Sequence, residues 1–370
     1  MDQKIQWAVN HMPKTDDKNL PIMGLEEIGK ARTFHESFPQ YSKTPLTKLD
    51  HMAEYLGVKE IYLKDESYRF GLNAFKVLGG SFAMARYIAS ETGKDVSELP
   101  YSVLTSDQLR KEFGQAVVHM PKGSTQTRLQ NIAKEGAQVD IQEMNYDDCV
   151  RLAAKEADET ERGVIVQDTA WDGYEEIPAW IMQGYGTMAM EAGEQLKEYG
   201  CERPTHIFVQ AGVGSLAGAV VGYYSNLYAD NPPTFVVVEA EAAACLYKGA
   251  AAGDGDMETI MAGLACGEPN TISWDILKNH VKVFIAAPDW VAANGMRMLG
   301  APIKGDAPVT SGESGAAPFG ALAAVMTMDE YKDLRNDIGL DGSSKVLLFS
   351  TEGDTDPDRY KNIVWKGLDK

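Results

Sequence analysis

The feature that most constrains this chain is a rhythm in which short apolar, β-rich runs alternate with longer helical patterns. The candidate strands are EIYLK (60–64), AVVHM (116–120), VIVQD (164–168), HIFVQA (206–211), FVVVEA (235–240), VKVFIA (281–286) and KVLLFS (345–350). Between them lie helix-like segments such as NAFKVLGGSFAMARYIAS, STQTRLQNIAKEG, YDDCVRLAAKEADET, IPAWIMQGYGTMAMEAGEQLKEYG and SGAAPFGALAAVMTMDEYKDL. Strand, helix, strand, repeated, predicts an α/β protein with a mainly parallel sheet. Several strands are apolar throughout, as expected when helices cover both faces of the sheet. At 370 residues the chain is long enough for a large core and for more than one domain.

Charge narrows the partners. Lys and Arg number 35 against 54 Asp and Glu, a net charge of −19. Release of counterions from nucleic acid or an anionic membrane needs the opposite sign, so neither is an expected partner. No apolar run approaches the roughly 18 residues that span a bilayer. The opening MDQKIQWAVNHMPKTDDKN has no uninterrupted apolar stretch of the signal-peptide kind, so a cytoplasmic location with reduced thiols is expected. Cys149, Cys201, Cys245 and Cys266 have no CxxC spacing, and no metal is expected. Whether Cys245 and Cys266 lie close together is not legible in sequence.

Ligands of open α/β sheets bind beyond the carboxyl ends of the strands, and three of those junctions are unusual. In HIFVQAGVGSLAG a strand runs into Gly212, Gly214 and Gly218, with Ser215 among them, and then into a helix. Glycines let backbone N–H groups converge, and a helix N-terminus favours an anion, so this reads as a phosphate cradle. A dinucleotide fingerprint competes, with Glu239 as the acid ending the next strand, although the spacing is GxGxxxG rather than GxGxxG. In KVLLFSTEGDTD a strand ends at Ser350, followed by Thr351. A hydroxyl there suits a ring nitrogen without bringing charge, or a simple Ser/Thr turn. In VIVQDTAWDGY, Asp168 ends a candidate strand, with Trp171 and Tyr174 following. That suits an acid/base residue, or equally a cap for the next segment.

Lys76 is the fourth candidate. It is the only charged residue between Arg69 and Arg86, set among Phe75, Val77 and small residues. Most such lysines snorkel to water. A buried one is a nucleophilic amine that condenses with aldehydes. Asn73 and Ala74 suit a helix start carrying it, and the Gly79–Gly80 pair suits close approach of another backbone.

Taken together, KDES…GLNAFKVLGG, QAGVGSLAG, IMAGLACGEPN, SGESGA and STEGDTD resemble the pyridoxal-phosphate enzymes of the tryptophan-synthase-β type. MNYDDCVRL, VQDTAWDGY and IPAWIMQGYG resemble one family among them, the diaminopropionate ammonia-lyases, and the likeness runs from about Thr44 to Gly367. It implies fold type II, with residues 1–75 and 177–370 forming a larger cofactor-binding domain and 76–176 a smaller one, usually in a homodimer. It implies Lys76 as the covalent anchor of pyridoxal 5'-phosphate and Gly212, Val213, Gly214, Ser215 and Gly218 as the phosphate cradle. Ser350 or Thr351 would face the pyridine nitrogen, and Asp168 would serve as acid/base near the substrate Cα. The reaction implied is 2,3-diaminopropionate plus water giving pyruvate and two ammonia. A serine or threonine dehydratase of the same fold and a catalytically inactive cofactor-binding relative are the alternatives, with a nicotinamide-dependent dehydrogenase behind them.

One departure from the resemblance is expected to matter. Between the helix ending near Phe113–Gly114 and the strand starting at Gln115–Ala116, the family pattern carries a further strand, a T-D-G-N-H-G loop and a helix, roughly 25–30 residues that find no match here. In the family pattern that loop holds an asparagine beside the cofactor ring, donors for the substrate carboxylate and a second aspartate.

Overall fold

The computed structural model describes residues 3–114, 116–134, 136–251, 259–261, 264 and 268–369. The strands are β1 (Gln6–Val9), β2 (Leu46–Lys48), β3 (Glu60–Asp65), β4 (Val117–Met120), β5 (Gln138–Ile141), β6 (His206–Gln210), β7 (Thr234–Ala240), β8 (Val281–Ala287) and β9 (Lys345–Ser350). Numbering only the longer helices, α1 is Leu25–Glu36, α2 Val77–Thr92, α3 Gln126–Lys134, α4 Tyr146–Glu159, α5 Glu176–Glu198, α6 Ser215–Leu227, α7 Thr271–His280, α8 Asp289–Gly300 and α9 Glu313–Thr327.

Seven strands form one sheet in the order β1-β8-β7-β6-β9-β3-β2. The five inner strands run parallel, and β1 and β2 close the edges antiparallel. The apolar runs behave as a two-sided sheet requires, because successive side chains alternate faces. Ile207, Val209, Phe235, Val237, Leu347 and Phe349 join one core, with Phe82 of α2, Met188 of α5 and Val220 of α6. Their neighbours Phe208, Val236, Val238, Val346 and Leu348 join a second core on the opposite face, with Val291 of α8 and Phe319 of α9.

A buried ion network fixes the segment that leaves β3 for Lys76. Lys64 Nζ lies 2.7 Å from Glu191 Oε2, Arg69 Nη2 lies 2.8 Å from the same oxygen, and Arg69 Nε lies 2.8 Å from Glu66 Oε2. All these side chains are fully buried. Burial works against the charge on Glu191, but Arg69 and Lys64 outweigh it and hold the carboxyl down to about 2.

β4 and β5 form a separate parallel pair. The strand expected at Val164–Asp168 is overturned, since those residues belong to no ladder. Val164 and Val166 are exposed, as is Val117 of β4. Their β-branched character signals extended backbone, yet a strand also needs a partner, and none of the described strands pairs with this segment. β1, β2 and β5 were not legible, because QWAV, LTK and QVDI are short and interrupted by polar residues, whereas the equally short β4 shows through its paired valines.

His119 staples the small sheet. Its Nδ1 lies 2.9 Å from Asp140 Oδ1 on β5 and its Nε2 2.8 Å from Glu156 Oε2 on α4. Burial opposes the ring's charge, but the hydrogen bonds with Asp140 and Glu156 outweigh it, so its pKa is raised above 6.5. A base whose folded pKa is raised stabilises fully below its unfolded value and loses that contribution as pH climbs through the folded one. Hydrogen exchange of Gln138–Ile141, corrected for intrinsic rate, is therefore expected to quicken from about pH 6.5 upward, and His119→Gln to remove that dependence. Flat protection in the parent from about pH 6 to 9 would contradict it.

Candidate active site

Three adjacent strands, β6, β9 and β3, deliver their carboxyl ends to one place. The chain moves from β6 outward to β7 and β8 on one side, while β9 and β3 lie on the other, so the crevice opens where strand order reverses. There the structure has an open cleft of about 1270 Å³, lined among others by Lys76, Asp168, Gly212, Gly214 and Thr351.

Lys76 occupies the N-cap position of α2 without making a side-chain capping bond. The loop before it is stitched to the loop after β9: Phe75 N donates to Thr351 O at 3.0 Å, and Gly353 N to Asn73 O at 3.1 Å. Asn73 sits in the left-handed region (φ 59°), which asparagine tolerates better than most residues, and its Nδ2 donates to Asp354 Oδ1 at 3.2 Å. Behind the lysine, a Cβ on Gly79 would lie 2.5 Å from Tyr185 Cε1, so that glycine permits α2 and α5 to touch. Gly80 has open space. Of the two readings of Lys76, the buried amine is the one corrected: its side chain is 61% exposed. The apolar neighbours pack inward, whereas the amine faces the cleft, with Nζ 3.8 Å from Asp168 Oδ2.

The cradle divides. Gly212, Val213, Gly214 and Ser215 line the cleft at the start of α6, and Gly214 has φ 104°. First-turn amides of a helix have no intrahelical acceptor and so are available to an anion. Gly218 does not reach the cleft. Its amide donates to Gly214 O at 2.7 Å, and a Cβ there would lie 2.6 Å from Ser273 Cβ, so it serves close packing of α6 on α7. Ser350 and Thr351 also separate, one ending β9 and the other starting the loop after it. Ser350 Oγ donates to Ser311 Oγ at 2.8 Å, away from the cleft lining, whereas Thr351 lines the cleft and accepts from Gln210 Nε2 at 2.7 Å.

Asp168 reaches the cleft without a strand beneath it. The rings that meet it are not Trp171 and Tyr174, which stack on each other at 4.5 Å. Tyr146 donates to Oδ1 at 3.1 Å and Tyr185 to Oδ2 at 3.5 Å. Burial raises the Tyr185 phenol well above 10, with the Asp168 charge adding to it, so this hydroxyl stays a donor. Both tyrosines escaped sequence reasoning, although MNYDDCVRL and IPAWIMQGYG contain them. Lys122, Arg128 and Arg359 on the cleft wall also escaped it.

Glu239 is fully buried at the end of β7 and accepts from Leu246 N at 2.8 Å and Tyr247 N at 2.7 Å. Burial pushes its carboxyl up to about 8. It caps the helix Cys245–Ala251 rather than facing the cleft, which removes the acid that the dinucleotide reading required. Cys245 Sγ donates to Gly212 O at 3.4 Å. Cys266 lies outside the described residues, as does part of IMAGLACGEPN.

The model of the family "Pyridoxal-phosphate dependent enzyme" matches residues 110–348. The diaminopropionate ammonia-lyase of Salmonella typhimurium is 47% identical over 367 residues, covering 90% of this chain and 91% of that protein. This chain belongs to the diaminopropionate ammonia-lyase family of pyridoxal-phosphate-dependent enzymes. The ammonia-lyase of Escherichia coli K12 is 44% identical over 94% of this chain and 93% of its own length. A crystal structure of the diaminopropionate ammonia-lyase from Escherichia coli with an aminoacrylate–PLP azomethine reaction intermediate superposes at a TM-score of 0.90 with 42% identity, covering 99% of this chain and 98% of that one. Membership settles the fold as type II with a mainly parallel sheet, and pyridoxal 5'-phosphate as the cofactor. Among the described residues no helix is long and apolar enough to cross a membrane.

The donor set fits that cofactor. A primary amine, a glycine turn opening a helix and a neutral hydroxyl at the end of β9 face one cleft. Among the described residues, Gln210 Oε1 and Ser314 Oγ are buried with no partner, and both residues line the same cleft.

Proposed function

We propose that this protein catalyses α,β-elimination of 2,3-diaminopropionate, consuming water and releasing pyruvate and two ammonia. The observation that carries the reading is 47% identity over 90% of the chain to an ammonia-lyase named for that substrate, joined to a cleft in which Lys76 and Asp168 meet. When bound, pyridoxal 5'-phosphate supplies the electron sink for chemistry at the substrate Cα. Lys76 would hold the cofactor through its amine, which faces the cleft. The first-turn amides of α6 and the turn Gly212–Ser215 take the phosphate. Thr351 accepts from Gln210, which leaves its own proton for a ring nitrogen.

Lys76 and Asp168 are the proton-handling pair, a role supported by their 3.8 Å separation. Ammonia leaves only from a protonated nitrogen, so a proton taken from Cα must be matched by one delivered to the β-amine. Tyr146 and Tyr185 hold the two oxygens of Asp168 in one orientation while that exchange occurs.

The absent strand–loop–helix unit before Gln115 belongs to the same proposal. It is supported by the two-stranded β4–β5 pair, the unpaired Val164–Asp168 segment and the exposure of Val117, Val164 and Val166. Lys122, Arg128 and Arg359 are then the cleft-wall cations nearest to hand for a substrate carboxylate, but Lys122 is paired with Glu143 and Arg359 with Glu313, and a less closely held substrate raises KM and lowers kcat together. The homodimer and the domain division at 76 and 177 rest on the family resemblance, and the cytoplasmic location rests on the amino-acid sequence. Pyruvate release from 2,3-diaminopropionate, serine and threonine tests the substrate. Diaminopropionate is expected to be preferred, and equal or faster turnover of serine would overturn the assignment.

A further inference from the structure

The motif IMAGLACGEPN ends in a residue that the proposed chemistry leaves unused. Asn270 is fully buried and is not part of the cleft lining, yet its hydrogen bonds reach both halves of the site. Its backbone N donates to Val213 O in the phosphate turn at 2.8 Å. Its Nδ2 donates to Ser215 Oγ at 2.9 Å and to the main-chain carbonyl of Asp168 at 2.6 Å. Ser215 Oγ also donates to that carbonyl, and Asn270 Oδ1 accepts from Ser273 N at 3.0 Å, capping α7. Next door, Thr271 N donates to Ala170 O at 3.3 Å.

We infer that Asn270 is a positioning residue that ties the phosphate turn to Asp168, so that cofactor binding and the placing of the carboxylate are set by one network. The residue type follows from the donor count. Both side-chain N–H groups and the side-chain oxygen are used, and the residue is fully buried. Aspartate has no N–H for the Asp168 carbonyl, alanine has neither donor nor acceptor, and glutamine is a methylene too long for a fully buried site. Asp168 is thereby held at both ends, by Asn270 and Ser215 at its carbonyl and by Tyr146 and Tyr185 at its carboxylate. The inference rests on the proposed role of Asp168.

The test compares Asn270→Ala, Asn270→Asp, Ser215→Ala and the double variant Asn270→Ala/Ser215→Ala. Affinity for pyridoxal 5'-phosphate is read by absorbance titration of the apoprotein. Turnover of 2,3-diaminopropionate is read at saturating cofactor. Asn270→Ala is expected to weaken cofactor binding about tenfold and to lower kcat about tenfold, with KM changed by less than about threefold. The double variant is expected to match the worse single one to within about twofold, because both changes cut one network. Parental cofactor affinity or parental kcat in Asn270→Ala, even with a lowered melting temperature, would overturn the inference and leave a fold-stabilising residue. Multiplying effects in the double variant would do the same. If Asn270→Ala does not fold, Ser215→Ala carries the test, and it must shift both quantities. A parent that releases no pyruvate sinks the proposed function separately; the absorbance change on adding diaminopropionate then replaces kcat as the second readout.

Discussion

Lys76→Ala is expected to lower pyruvate release from 2,3-diaminopropionate by on the order of 10⁵-fold, the scale seen when a covalent-catalysis residue is removed outright. The same variant is expected to lose covalent retention of pyridoxal 5'-phosphate after borohydride reduction, with no modified peptide spanning position 76 in mass spectra. Non-covalent binding should survive, weakened, because the glycine turn at the start of α6 does not depend on the lysine. Little stability is at stake, since the side chain is 61% exposed and takes no part in the core. The variant should therefore melt within a few degrees of the parent. A labelled peptide elsewhere in Lys76→Ala, or turnover within tenfold of the parent, would remove this lysine from the chemistry.

Asp168→Asn comes second in size. General acid–base catalysis typically contributes 10²–10⁴-fold, and a loss of about 10³ in kcat is expected with cofactor affinity nearly unchanged. The contrast with Lys76 is the informative part. Asparagine keeps the volume and still accepts from one of the two tyrosines, and the carbonyl of residue 168 keeps its bonds to Ser215 and Asn270. What disappears is a group able to take up or release a proton 3.8 Å from Lys76 Nζ. Single-turnover assays at saturating cofactor separate loss of chemistry from loss of binding. Parental turnover would return Asp168 to the turn-capping role that VQDTAWDGY equally allowed.

Much of the site was legible through the family resemblance, because locally Lys76, Asp168 and the hydroxyls at 350 and 351 each had a plain reading as well. A glycine turn between an apolar strand and a helix, and a lone lysine in an apolar small-residue segment, are recognisable without coordinates. Tyr146, Tyr185 and Asn270 were not, since tyrosine and asparagine are unremarkable on helices and at caps. Their importance comes from contacts more than ten residues away in sequence. The absence of a ladder at Val164–Asp168 was equally hidden, because VIVQD has strand character whether or not a partner exists.

The amino-acid sequence by itself determined the alternation of strands and helices, the two-sided sheet, the family and the glycine turn, all local or periodic properties that the chain carries in one dimension. Only the tertiary structure decided that Thr351 rather than Ser350 faces the cleft, that Gly218 packs against Ser273, and that Lys76 stands in an open cleft. In a sheet buried on both faces, neighbouring residues are equally apolar in their surroundings, so nothing local marks which side is which. The pairing register of β9 with β3 and β6, and the packing of α6 on α7, supply that choice.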